Sequence, residues 1–145
     1  MAIWFNPSLN LNDLRRFANQ SISDYLQFEW VEVGPDFLKL SMPVNEKVRQ
    51  PYGLMHGGIS CVLAETVASI GSALVIDTEK FYCVGLEINA NHVRSARDGS
   101  VIATCCPLHL GKSTHVWDIK IHDEKDKLIC VSRLTVAIVP ITKLK

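Results

Sequence analysis

The stretch Gln50-Pro-Tyr-Gly-Leu-Met-His-Gly-Gly-Ile-Ser-Cys-Val-Leu-Ala-Glu65-Thr-Val-Ala-Ser-Ile-Gly-Ser-Ala-Leu-Val-Ile76 carries one formally charged side chain, Glu65. From Ile59 onward the spacing predicts one long helix. At about 100° per residue, Ile59, Val62, Leu63, Val67, Ile70 and Leu74 fall on one face, a core stripe. The opposite face holds Ser60, Cys61, Ala64, Glu65, Ala68, Ser69, Gly71 and Ser72. A solvated face would show Lys and Glu there, whereas small residues let another backbone or a ligand come close. The expectation is that a second subunit covers this face and that Glu65 lines a crevice between the two. Burying a lone carboxylate is costly unless something uses or neutralises it, which makes Glu65 a candidate for chemistry. The plainer alternative ties Glu65 to an Arg or Lys from elsewhere in the core.

Outward from the helix, the pattern turns to strands. Residues 28–33 and 36–42 read as strands joined by the turn Gly34-Pro35-Asp36. After Asp77 the period becomes two, with Tyr82, Val84, Leu86, Ile88 and Ala90 alternating with Cys83, Gly85, Glu87, Asn89 and Asn91. Further strands fit 100–109, 113–122 and 128–139, broken by Asp98-Gly99, Gly111-Lys112 and the charged run 123–127. The N-terminal segment 1–24 contains a short helix over 10–20, with Asn10 or Asn12 as cap. The whole, 1–145, reads as a single α+β domain: an antiparallel sheet of five to six strands around one long central helix. Such a sheet cannot cover that helix on every side, so a two-fold dimer is expected to complete the burial.

Composition narrows the function classes. Nearly half of the 145 residues are hydrophobic (48%) and the formal net charge is zero, which argues against disorder and against nucleic-acid binding built on net charge. The apolar run 59–76 reaches membrane-spanning length, but Glu65, Thr66 and three serines interrupt it and no Lys or Arg flanks it. Met1-Ala-Ile-Trp-Phe-Asn-Pro does not read as a signal sequence. The five cysteines at 61, 83, 105, 106 and 130 are odd in number and lack Cys-x-x-Cys spacing, so they read as reduced residues of a cytoplasmic protein. The histidines are scattered, and no metal site is expected. There is no P-loop and no GxGxxG, and no cofactor is expected.

Gly57 and Gly58 stand where the helix begins, so their N–H groups and the helix dipole are placed to receive a carbonyl oxygen gaining negative charge. Glu65 lies eight residues on, about 12 Å along the axis. One small reacting group cannot touch both in one chain. Two antiparallel copies of the helix would bring Gly57 of one chain near Glu65 of the other.

The runs Gln50-Pro-Tyr-Gly-Leu-Met-His-Gly-Gly58, Ala64-Glu65-Thr66 and Gly85-Leu-Glu-Ile-Asn-Ala-Asn-His-Val-Arg-Ser95 closely resemble the hotdog-fold acyl-CoA thioesterases. The resemblance is to the branch holding the Arthrobacter-type 4-hydroxybenzoyl-CoA, phenylacetate-pathway, enterobactin-proofreading and 1,4-dihydroxy-2-naphthoyl-CoA thioesterases. It spans roughly 25–139. It implies a hotdog fold, a homodimer pairing into a homotetramer, and hydrolysis of acyl-CoA or acyl-carrier-protein thioesters, with aroyl groups favoured. By resemblance Glu65 is the catalytic carboxylate, attacking the thioester carbon or activating water. The Gly57 amide polarises the carbonyl, Gln50 and His56 stand near the thioester, and Ser69 orients the acid or the water. From the residues alone His56 could equally be a helix-entry residue, Gln50 a loop residue and Ser69 a packing residue.

For CoA the resemblance implies Gly85 in the 82–91 strand, the strand end at His92, Val93, Arg94 and Ser95, and the turn His109-Leu110-Gly111-Lys112-Ser113-Thr114. Their basic and polar groups suit phosphates, although solvated turns have the same composition. Two other functions compete: a hotdog enoyl-thioester dehydratase or hydratase, and a non-catalytic acyl-CoA sensor. The first needs a His and an acid flanking the acyl α and β carbons, and the second needs no lone acid.

Overall fold

Inward-pointing residues alternate along every central strand, and the sheet follows from them. The computed structural model describes residues 1–17 and 21–144. Strands β1 (Glu29–Val33), β2 (Leu38–Pro43), β3 (Phe81–His92), β4 (Ser100–Leu110), β5 (Thr114–Asp123) and β6 (Leu128–Pro140) form one antiparallel sheet in the order β1-β2-β4-β5-β6-β3. Registry aligns the core residues across it: Leu40 faces Ala103, Ala103 faces Ile121, and Ile121 faces Cys130. These side chains are buried, whereas Lys39, Cys106 and Lys120 stand on the outer face or its rim. The strands lie within one to two residues of the ranges read from the sequence.

One long helix, α3 (Gly57–Val75), packs on the inner face. It is long and apolar enough to cross a membrane, but its buried residues pack in the hydrophobic core against the sheet. The sheet-facing stripe is Ser60, Leu63, Ala64, Val67, Ala68, Gly71, Ser72 and Leu74. This corrects the expected division of faces. Most of the small residues meet the sheet rather than a partner, because the strands supply the bulk. A methyl group on Gly71 would lie 3.1 Å from the Trp117 ring. Ile59, Cys61, Val62, Glu65, Thr66, Ser69 and Ile70 are only half-buried and form the face that the sheet leaves uncovered.

The N-terminal segment closes one end of this arrangement. Asn10 caps the short helix α1 (Leu11–Leu14) in a reciprocal box with Asp13. A single 3-10 turn, Arg15–Phe17, replaces the rest of the expected helix, whose residues 18–20 lie outside the described residues. A second short helix, α2 (Ile22–Tyr25), starts at the Ser21 cap and has no counterpart in the sequence reading. Upstream, the Trp4 indole donates to the Gly34 carbonyl at 2.8 Å, and the Phe5 amide donates to the Leu74 carbonyl at 2.8 Å. That second bond satisfies one of the carbonyls left free at the end of α3.

A buried polar group locks α3 to β5. Trp117 Nε1–H donates to Ser72 Oγ at 2.8 Å, and the same hydroxyl lies 3.1 Å from His115 Nδ1. Burial, followed by the nearby His109, pulls the His115 pKa below the usual imidazole value. Below pH 6.5 the unfolded chain therefore binds a proton that the folded chain refuses, so stability falls as pH drops through that value. Urea unfolding should show this loss between pH 7 and pH 5, and His115→Asn should reduce it. Ser72→Ala strands the buried indole N–H and should cost about 1–3 kcal/mol at pH 7.

Candidate active site

Three close approaches seat α3 against β3 and β5, and two of them involve expected site residues. A methyl group on Gly85 would lie 2.3 Å from Glu65 Oε1, so the carboxylate rests directly on the β3 backbone where a side chain would exclude it. A methyl group on Gly57 would lie 2.7 Å from His92 Nε2. The start of α3 and the end of β3 thus touch, as do the middle of α3 and the middle of β3. A bulge between Gly85 and Glu87 interrupts the register with β6 at this point.

Glu65 is half-buried on the uncovered face of α3. Among the described residues no cation pairs with it. Ser69 follows one turn later on the same face, and its carbonyl accepts from the Cys83 thiol at 3.5 Å. Cys61 precedes Glu65 by one turn. Burial raises its thiol pKa and the Glu65 carboxylate raises it further. Burial also raises Cys83 and Cys106, Cys130 to about 11 and Cys105 to about 12. None of the five is a thiolate at neutral pH, so thiolate catalysis is not on offer. Among the described residues no cluster of His, Cys, Asp and Glu forms a metal site.

The loop before α3 is built to present its polar groups. An Arg49–Met55 bridge closes it, and Gly53 turns it with φ of +79°, where a side chain would be strained. Gln50 Oε1 accepts from the Tyr52 amide, which leaves the Gln50 NH2 end as a donor. His56 caps the helix: its Nδ1 accepts from the Gly58 amide at 2.9 Å, which leaves Nε2 as the ring's outward-facing nitrogen. The Ile59 amide bonds the His56 carbonyl at 3.0 Å. Gly58 is therefore not free to bind a ligand oxygen. The Gly57 amide has no acceptor among the described residues.

A cleft of about 390 Å³ opens beside Gly57, lined by Gln50, Leu54, Met55, Ser60, Ala96 and Ile129 and by the run His92, Val93, Arg94 and Ser95. The Met55 amide donates to the Ala96 carbonyl, and the Val93 and Arg94 amides converge on the Ile129 carbonyl, so backbone bonds fix both walls. Gln50, Gly57 and the 92–95 run thus meet within one protomer. His56 faces a neighbouring pocket with Lys47, Arg49, Ile59 and Val62. The 109–114 turn is elsewhere. Thr114 pairs with Ala137, which pairs with Val84, whereas His92 pairs with Cys130, which pairs with Ile121. The seven residue-to-residue steps from Thr114 to Ile121 span about 23 Å, so the turn lies at the opposite end of the sheet from the cleft. Sequence reasoning does not single out Leu54, Met55, Ser60, Ala96 or Ile129 for the cleft, because nothing in their spacing sets them apart from core residues.

The family described as "Thioesterase superfamily" matches residues 52–130. The chain belongs to that superfamily. Its fold is the hotdog, and it is a thioester hydrolase. It is 46% identical over 136 residues to a 1,4-dihydroxy-2-naphthoyl-CoA hydrolase of Escherichia coli, covering 94% of this chain and 98% of that one. A proofreading thioesterase, EntH, of Cronobacter turicensis is 39% identical over 137 residues, covering 94% and 98%. A crystal structure of a mutant thioesterase, PA1618, from Pseudomonas aeruginosa superposes with a TM-score of 0.93 at 43% identity, covering 97% of this chain and all of that one.

In this thioesterase the Glu65–Gly85 contact is testable. Gly85→Ala should fold normally by circular dichroism but push the carboxylate aside. An ångström-scale misplacement of a reacting group costs on the order of 10²-fold in rate. Unchanged turnover would mean that the carboxylate position is irrelevant to the chemistry.

Proposed function

We propose that this thioesterase hydrolyses acyl-CoA thioesters, aroyl-CoA in particular, with Glu65 as the catalytic carboxylate. The observation that carries the reading is a half-buried carboxylate with no paired cation among the described residues, held on a glycine of β3, in a chain of the thioesterase superfamily. A water oxygen bonds to the acyl carbon, the C–S bond breaks, and the thiol of CoA leaves with a proton. Glu65 takes the proton from that water, or bonds the acyl carbon first and is then released by water. The Gly57 amide of the other chain, at the positive end of its α3 and so brought near this Glu65 by antiparallel pairing of the two helices, receives the carbonyl oxygen as it gains charge. Gln50 donates through its free NH2 end, and Ser69 steadies the acid. Two matched relatives are named 1,4-dihydroxy-2-naphthoyl-CoA hydrolases, which supports an aromatic acyl group.

The active unit is a homodimer, pairing into a homotetramer in the cytoplasm. Strand β3 is twelve residues long, forms one edge of the sheet, and exposes Val84 and Leu86 (46% and 63%). A bare edge of this length invites pairing. A two-fold axis near the middle of β3 would bury that edge and the uncovered face of α3 together. It would also bring the partner's 109–114 turn toward the His92 end of β3, three inter-strand steps or about 14 Å away. CoA would then bridge Arg94 and Ser95 of one chain and Lys112 of the other. The five free cysteines suit a reducing compartment.

Two measurements test this. Glu65→Gln is expected to lower kcat on benzoyl-CoA by about 10²-fold or more, read as free thiol with Ellman's reagent. Near-normal release would make Glu65 structural. Lys112→Ala should raise KM for CoA thioesters with little change in kcat, and leave pantetheine thioesters, which lack the nucleotide phosphates, unaffected. Equal losses on both would remove Lys112 from the phosphate site.

A further inference from the structure

Ser60 is 1% exposed, and its hydroxyl has no hydrogen-bond partner among the described residues. Helical hydroxyls ordinarily bond back to the carbonyl four residues earlier. Thr66 in the same helix does so, donating to the Val62 carbonyl at 2.7 Å, and Ser72 is taken up by Trp117 and His115. Ser60 does neither, and it lines the 390 Å³ cleft beside Gly57. It follows Gly57 by three residues, about 300° around the helix and 4.5 Å along it. Helical side chains lean toward the N-terminus, so its Oγ stands over the turn that begins with Gly57. The other donors at the helix start are spent: Gly58 N–H on His56 Nδ1, and Ile59 N–H on the His56 carbonyl. Two donors of this first turn have no acceptor among the described residues, the Gly57 amide and the Ser60 hydroxyl, and both residues line the cleft.

We propose that Ser60 is a catalytic residue, its hydroxyl the second donor to the thioester carbonyl oxygen alongside the Gly57 amide. The inference rests on the thioesterase reading above and adds a group to it. A single amide polarises an oxyanion from one side, and a second donor placed in advance adds stabilisation that grows as charge develops. The oxygen keeps its bond to carbon throughout, and Ser60 neither attacks nor gives up its proton.

The test compares wild type with Ser60→Ala on benzoyl-CoA, and measures binding of the thioether analogue in which a methylene replaces the carbonyl. The expected result is a kcat lower by about 10²-fold, the scale for losing one such donor. KM should stay within about threefold, thioether binding should not change, and the melting temperature should not fall, since an unpaired hydroxyl leaves the interior. A kcat within about twofold of wild type would overturn the assignment. So would an equal loss of thioether binding, which would place the hydroxyl on another part of the ligand, or a lowered melting temperature accompanying the loss of rate, which would make it structural. Wild-type protein that frees no thiol from any acyl-CoA would sink the function itself, an outcome distinct from a failing Ser60.

Discussion

The height of α3 above the sheet governs everything else in this molecule. The helix sits so low that methyl groups on Gly57, Gly71 and Gly85 would run into His92, Trp117 and Glu65 respectively. Interiors packed at crystal-like density do not absorb such intrusions without moving something. The three glycines therefore act as one constraint. They fix the rotation of α3, which sets Glu65 against the middle of β3 and Gly57 against the end of it. The chemistry sits where backbone, rather than side chain, meets the helix.

That constraint explains the division of faces along α3. Large residues on the helix and large residues on the sheet compete for the same volume. Here Trp117, Ile119, Ile121 and Leu134 fill the space from the sheet side, and the helix yields with Ala64, Ala68, Gly71 and Ser72. The larger Ile59, Val62 and Ile70 are displaced to the half-exposed face. A helical wheel weighs side chains by hydrophobicity and cannot register that exchange of bulk, because both faces of this helix are apolar.

The strands were legible in the sequence because alternation is a property of each strand by itself. Glu65 was legible because it is a single charge in an apolar run. So was the helix-entry role open to His56, whose Nδ1 accepts from the Gly58 amide only two residues on. What escaped depends on contacts between distant residues. The Ser72–Trp117–His115 cluster joins residues more than forty positions apart, and no local pattern marks it. That β3 pairs with β6 rather than with β4, the strand that follows it, likewise has no local mark in the sequence.

That same pairing sets an order of assembly. Strands β4, β5 and β6 follow one another along the chain as hairpins and can pair as they are made. Strand β3 precedes them all, yet among the described residues its sole neighbour is β6, across residues 93–127. No native ladder bond of β3 can exist until residues 128–140 have left the ribosome, and closing so long a loop is slow relative to forming a hairpin. Gly85 and His92 wait in an unpaired strand until then. The surface on which Glu65 and Gly57 settle is the last part of the sheet to be completed.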